Sequence, residues 1–179
     1  MKKRWYVLGA VIIIGAVAGS QGGTTTPNPA PVATQTSSPV ASAPVALSKT
    51  GVSSNVTIEV TGFDSTDTVG NNPYSNSKAK GVFKVVGLTL TNNQKDAITV
   101  TSGSFKLYDS KDREFTDSTD AGMSLTLNDP KIESFMATTV NPGMSVSGEV
   151  VFDVPKDATG FYLKASGGMV GTPIKLAVQ

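Results

Sequence analysis

From Asn55 to the C-terminus the apolar residues of this chain recur mostly at every second position, a period that few elements other than strands with one dry and one wet face can use. Val56, Ile58 and Val60 alternate with Thr57, Glu59 and Thr61. The run GVFKVVGLTLTN, 81–92, puts Val86, Leu88 and Leu90 on one face and Phe83 and Val85 on the other. That parity change implies either a central strand covered on both faces at its start or a bulge at Val85–Val86. Ile98 with Val100, Phe105 with Leu107, Phe115, then Met123, Leu125 and Leu127 follow, and after them the less regular segment Ile132 to Val140. Phe161, Leu163 and Ala165 share a further parity, and Ile174, Leu176 and Val178 close the chain. No sustained amphipathic helix is expected between residues 51 and 179. Seven to nine strands separated by turn signals predict an all-β chain, a two-sheet sandwich. Its core is expected to include Val86, Leu88, Leu90, Phe105, Leu107, Val150, Phe152 and Leu163.

The stretch NPGMSVSGEVVFDVPKD, 141–157, is the most orderly of these runs. Pro142 pre-sets its dihedral for a tight turn, and Gly143 can take the positive φ of a type II turn. Met144, Val146, Gly148, Val150, Phe152 and Val154 share the dry parity, within which Gly148 marks a bulge or a close approach of opposing chain. Pro155 lacks the amide a ladder needs, so the strand should stop at Val154 and Lys156–Asp157 should turn outward.

The first fifty residues have a different character. Lys2, Lys3 and Arg4 precede an uncharged stretch from Trp5 to Ala18 that ends in Ala16-Val17-Ala18, the build of a secretory signal. Residues 1–18 therefore read as a signal peptide cleaved after Ala18 or as a retained N-terminal anchor. Residues 19–50, rich in Pro, Thr, Ser and Ala, hold five of the ten prolines and no aromatic side chain, so they are expected to be a disordered spacer. The folded domain is expected over 51–179, on a secreted or cell-surface protein that meets a membrane only through an uncleaved N-terminal segment. After residue 50 there are fourteen acidic and eleven basic residues, a balance of −3 that argues against a nucleic-acid partner. Absence of cysteine leaves the domain dependent on its core.

The succession GVFKVVGLTLTNNQKDAITV, SFKLYDSKDREF and NPGMSVSGEVVFDVPKDATGFYLKAS resembles the immunoglobulin-like domain of unknown function found on exported proteins of Gram-positive bacteria and archaea, over about residues 53–178. That family is similar in fold to the secreted immunogenic proteins of mycobacteria. The resemblance implies an immunoglobulin-like sandwich behind a signal or lipid anchor and a linker, with no established catalytic residues or general ligand. This chain departs from the pattern in having no cysteine to carry a lipid.

Catalysis finds little to work with. Nucleophilic chemistry needs an activated serine, threonine or cysteine, and the chain has no histidine. Ser104 with Lys106, and Ser166 with Lys164, are the remaining serine–lysine pairs, and no catalytic residue is assigned. Hard cations take carboxylate oxygens, so Asp109, Asp112, Asp117 and Asp120 are candidates for calcium, although no EF-hand loop is present. Asp109 is expected to accept local backbone bonds at its bend. No cofactor is expected. Met123, Met136, Met144 and Met169 read as core or interface filling. The segment 63–81 reads as the longest loop, and Asn71, Asn72 and Tyr74 within it are the candidate binding residues, Tyr74 serving as an aromatic anchor or as a plug. The resulting expectation is a non-catalytic extracellular binding or structural module for a protein or cell-wall component. A calcium- or small-ligand-binding accessory domain and an exported hydrolase are the alternatives.

Overall fold

The computed structural model describes residues 46–71 and 75–179. Residues 1–18, expected as a signal peptide or anchor, nearly all of the expected spacer, and Asn72 and Tyr74 of the candidate binding residues lie outside the described residues.

Ten strands are present among the described residues: β1 (Thr50–Ser53), β2 (Val56–Val69), β3 (Ser77–Asn92), β4 (Ile98–Val100), β5 (Phe105–Tyr108), β6 (Glu114–Phe115), β7 (Thr138–Val140), β8 (Ser145–Val154), β9 (Tyr162–Ala165) and β10 (Ile174–Ala177). One helix, α1 (Thr119–Asn128), and a single 3-10 turn at Ser102–Ser104 complete the elements. The strands pair into three sheets, β1-β2-β3-β8, β10-β9-β5-β6 and the small pair β4-β7, where two sheets of seven to nine strands were expected. The arrangement is sandwich-like, because one apolar core draws on all three sheets. Val86, Leu88, Leu90, Phe105, Leu107, Val150, Phe152 and Leu163, the eight positions expected from the alternation, are all buried there.

The parity change in β3 has its cause in a second cover. Val86, Leu88 and Leu90 join the main core, whereas Phe83 packs with Val69, Ala121 and Val151 in a separate cluster, with Val85 and Leu125 against it. The helix supplies that cover. No bulge occurs at Val85–Val86, since β3 pairs continuously with β8 from Val82 to Thr91. The irregularities fall elsewhere on the β2–β3 ladder, between Val60 and Gly62 and between Thr66 and Thr68.

Two expectations are corrected here. The segment holding Met123, Leu125 and Leu127 is a helix, and its buried residues are the small Ala121, Gly122 and Ser124. Small side chains let a helix backbone lie close to a sheet without forming an apolar stripe, and the spacing of the larger residues imitates a strand. Likewise the segment 63–81 is mostly strand: β2 continues to Val69 and β3 begins at Ser77, leaving a short connection at the tip. Threonines and aspartates with both faces wet can sustain a hairpin by backbone pairing alone. Met123, Met136, Met144 and Met169 are exposed rather than in the core.

The 141–157 stretch follows its expected mechanics. Gly143 has φ +74, and the Gly143 amide donates to the Asn92 carbonyl at 2.8 Å. β8 ends at Val154, before Pro155, and Lys156 and Asp157 are exposed. At Gly148 the close approach is real. The Glu133 carbonyl and the Phe135 ring lie where a Cβ would stand, at 2.2 and 2.9 Å. Strand pairing at the N-terminal side begins before β1, with the Val60 amide donating to the Lys49 carbonyl and the Ala177 amide to the Ser48 carbonyl.

Candidate functional site

A groove of about 840 Å³ opens at one end of the strands, lined by Ser54–Asn55, residues 93–99 and residues 167–171. Three connections build it: the β1–β2 turn, the β3–β4 loop and the β9–β10 loop. Ser54 and Asn55 both hold positive φ, 48° and 61°, the geometry of a tight two-residue hairpin turn. Asn92, wholly buried, anchors the second loop. The Asn92 side-chain amide donates to the carbonyls of Asp96 and Val140, both at 2.9 Å, and its oxygen accepts the Gln94 amide at 2.9 Å. Ser53 anchors the third, because its hydroxyl donates to the Thr172 carbonyl at 2.6 Å and accepts the Gly167 amide at 2.7 Å.

Cross-links then tie loop to loop. Gln94 Nε2 donates to the Ser54 carbonyl at 2.7 Å, the Asn93 amide to the Asn55 carbonyl at 3.0 Å, and the Met169 amide to the Thr99 carbonyl at 3.3 Å. These bonds satisfy backbone polar groups of the three loops, and the groove is held in shape before any ligand arrives. On its rim the side chains of Asn55, Lys95 and Asp96 make no hydrogen bond or ion pair among the described residues. Among the apolar residues of the lining, Met169 and Val170 are 73% and 99% exposed. The groove therefore presents Met169 and Val170 to solvent beside the Asn55 amide and one charge of each sign.

This site was not legible as such. The SGGMVG run, 166–171, breaks the alternation, and its signal was two apolar residues carried between glycines in a turn. Of the expected binding residues only Asn71 is among the described residues, and it follows β2 at the end of that strand away from the groove. Asn71 is exposed, and its amide donates to Asn128 Oδ1 of α1 at 3.0 Å. Asn71 also lines a shallow hollow with Leu125, Asn128 and Ile132.

The four candidate calcium aspartates are divided between two places. Asp109, 1% exposed, has both oxygens engaged: Oδ1 accepts the amides of Lys111 and Arg113 at 2.9 and 3.0 Å, and Oδ2 accepts Arg113 Nε at 2.7 Å. Burial alone would push the Asp109 carboxyl up, but the hydrogen bonds from Arg113 and Lys111 and the guanidinium charge together hold it below the ordinary value. Asp112 accepts the Tyr162 hydroxyl at 2.9 Å. Asp117 and Asp120 lie instead beside the start of α1, in a hollow shared with Asp153, Lys78 and Lys80, where Asp153 already accepts the Lys80 and Gly81 amides at 2.8 and 3.0 Å. Among the described residues no three acidic groups converge as metal ligands would.

Ser104, Lys106, Lys164 and Ser166, the two serine–lysine pairs, line one groove. No hydrogen bond joins either serine hydroxyl to a lysine among the described residues, and the Ser104 hydroxyl accepts the Thr101 amide at 3.4 Å. The geometry provides no activated nucleophile there.

Solved structures of similar shape include three from bacilli. A conserved hypothetical protein from Bacillus anthracis shares 19% identity over 74% of this chain and 94% of its own, with a TM-score of 0.55. The yjhA protein from Bacillus subtilis shares 16% identity over 73% of this chain and 98% of its own, at TM-score 0.52. The ycdA protein from the same species shares 19% identity over 72% of this chain but 38% of its own, also at 0.52. At such identities the likeness concerns the fold. No curated protein matches the chain. Residues 47–174 match the family described as Domain of unknown function (DUF4352), and by that match, which spans the whole sandwich apart from its last residues, the chain belongs to this family.

Proposed function

We propose that this domain is a non-catalytic, immunoglobulin-like binding module, displayed outside the cell behind its spacer, and that it recognises a protein of the envelope or surroundings through the loop-built groove. The observation that carries the reading is the stitched groove of about 840 Å³, whose hydrogen bonds join three loops while Met169 and Val170 stand in solvent. Exposed apolar side chains beside polar ones are features of a protein-recognition surface, and Asn55, Lys95 and Asp96 supply the polar groups here. Loops fixed to a strand framework lose little freedom on binding, which favours affinity. A hydrolytic reading has no support in the geometry, because the serines and lysines it would need are not coupled.

Pull-down from the native envelope with the full chain, compared with a Met169→Asp, Val170→Asp variant, tests the proposal. A protein partner retained by the wild type and lost by the variant, with unchanged melting of both, supports it. Equal capture by both would overturn the groove as the recognition surface.

A further inference from the structure

The outward face of the β10-β9-β5-β6 sheet carries a second arrangement, independent of the groove at the loop end. Antiparallel pairing sets Lys106 of β5 opposite Lys164 of β9, and Lys164 opposite Lys175 of β10. Their strand neighbours Phe105, Leu107, Leu163, Ala165 and Leu176 take the core, so the three lysines face outward. Three ammonium groups thus stand in one row on adjacent strands, roughly 4.8 Å apart at the backbone. Like charges directly opposite one another weaken an antiparallel pair. None of the three has an ion-pair partner among the described residues, where the salt bridges gather instead at Lys111, Arg113, Asp109 and Asp157.

The next row explains why the nearby acids do not neutralise them. Glu114, Tyr108 and Tyr162 follow one another across β6, β5 and β9. The two tyrosine rings stack at 5.2 Å with their planes 12° apart. The Tyr108 hydroxyl donates to Glu114 and the Tyr162 hydroxyl to Asp112, so both carboxylates are engaged by phenols. Desolvation, and then the hydrogen bond to Asp112, push the Tyr162 phenol up to about 12, which keeps it a neutral donor at any ordinary pH. Two of the three lysines lean on this stack, Lys164 Nζ at 4.3 Å from the Tyr108 ring centre and Lys175 Nζ at 4.7 Å from that of Tyr162. Ring quadrupoles offset part of the repulsion and hold the ammonium groups in place without cancelling their charge. An open groove of about 550 Å³ runs along the row, with the Ser104 and Ser166 side chains on its wall.

We infer that this face binds an anionic oligosaccharide of the uronate class, its carboxylates meeting Lys106, Lys164 and Lys175 and its hydroxyls meeting Ser104, Ser166 and the tyrosine edge. Charge complementarity selects an anion, since a row of unpaired cations interrupts a domain of net charge −3 from fourteen acidic and eleven basic residues after position 50. Nucleic-acid affinity instead grows with the number of phosphates neutralised, and a row of three lysines offers few such contacts. A wall of hydroxyls beside aromatic rings and a proline suits sugar rings and their alcohols.

Calorimetric titration of the full chain with a galacturonate hexamer, its neutral methyl ester and oligothymidylate tests the inference. The acid form should bind, and binding should weaken with salt; the ester and the oligothymidylate should bind at least about tenfold more weakly. Lys106→Gln, Lys164→Gln and Lys175→Gln together should abolish uronate binding, the single Lys164→Gln should weaken it about tenfold, and Lys164→Arg should restore it. The Met169→Asp, Val170→Asp variant should bind the uronate as the wild type does, so failure at this face is separable from failure at the loop end. Equal affinity for the ester, equal affinity for oligothymidylate, or undiminished uronate binding by a folded lysine variant would each overturn the assignment.

Discussion

Gly148→Ala is the substitution for which the structure gives the sharpest expectation. A Cβ built at Gly148 falls 2.2 Å from the Glu133 carbonyl oxygen and 2.9 Å from two carbons of the Phe135 ring. Neither neighbour can move freely. The Glu133 carbonyl accepts the Glu149 amide at 2.8 Å, and the Phe135 ring is fully buried with its centre 5.4 Å from that of Phe105. Phe135 itself holds φ +51, where a bulky residue is strained, so the segment has little slack to absorb a further push. To admit the methyl group, residues 133–135 must draw back by about an ångström, losing a hydrogen bond worth about 1 kcal/mol and disturbing a packed ring at a cost of about 1–3 kcal/mol. Alanine stiffens the unfolded chain and offsets about 0.4–1 kcal/mol of this, leaving a net loss of about 1–3.5 kcal/mol.

Urea denaturation followed by tryptophan-independent far-UV signal is the suitable assay, with Gly103→Ala as its control. A Cβ at Gly103 meets only the Thr101 hydroxyl at 3.6 Å, an ordinary contact, so that variant should lie within about 0.5 kcal/mol of the wild type. If Gly148→Ala were as stable as Gly103→Ala, segment 133–135 would not be pressed against β8, and the bridge between Glu133 and Gly148 would be wrong.

Phe152→Ala, at a fully buried position of the main core, should cost about 3–5 kcal/mol by chemical denaturation, and a loss under about 1 kcal/mol would refute its placement. The Asp109 carboxyl binds a proton less readily folded than unfolded, so its contribution to stability is complete above the ordinary aspartate pKa and is lost as pH falls through the lower folded value. Melting temperature should accordingly fall more steeply with acid in the wild type than in Asp109→Asn, and parallel slopes would contradict the Arg113 pairing. Tyr74→Ala should reduce partner affinity if the hairpin tip takes part in recognition, with little change in unfolding; the opposite pattern would make Tyr74 a plug. Mass measurement of the mature chain should find its N-terminus after Ala18, and an intact Met1 or Lys2 on membrane-bound material would identify an anchor.

What could be read from the sequence and what could not divide along a physical line. Alternation reports which way each side chain of a strand faces, and the eight expected core positions are buried because facing is a local property. The parity change of β3 at Val85–Val86 was visible for the same reason, although it fitted a bulge as well as cover on both faces. The cover itself was not, because α1 buries Ala121, Gly122 and Ser124, and a helix seated through small residues leaves no apolar stripe. Strand character in Asp64–Thr68 was equally silent, since pairing through the backbone needs no side-chain pattern. The site residues obey the same distinction. Lys106, Lys164 and Lys175 each alternate with core residues of their own runs, but nothing within those runs makes them neighbours. Adjacency comes from the order β10-β9-β5, which sets residues 106 and 164 side by side across more than fifty intervening positions. Only the long-range pairing turns three ordinary surface lysines into a row whose mutual repulsion an anionic ligand would relieve.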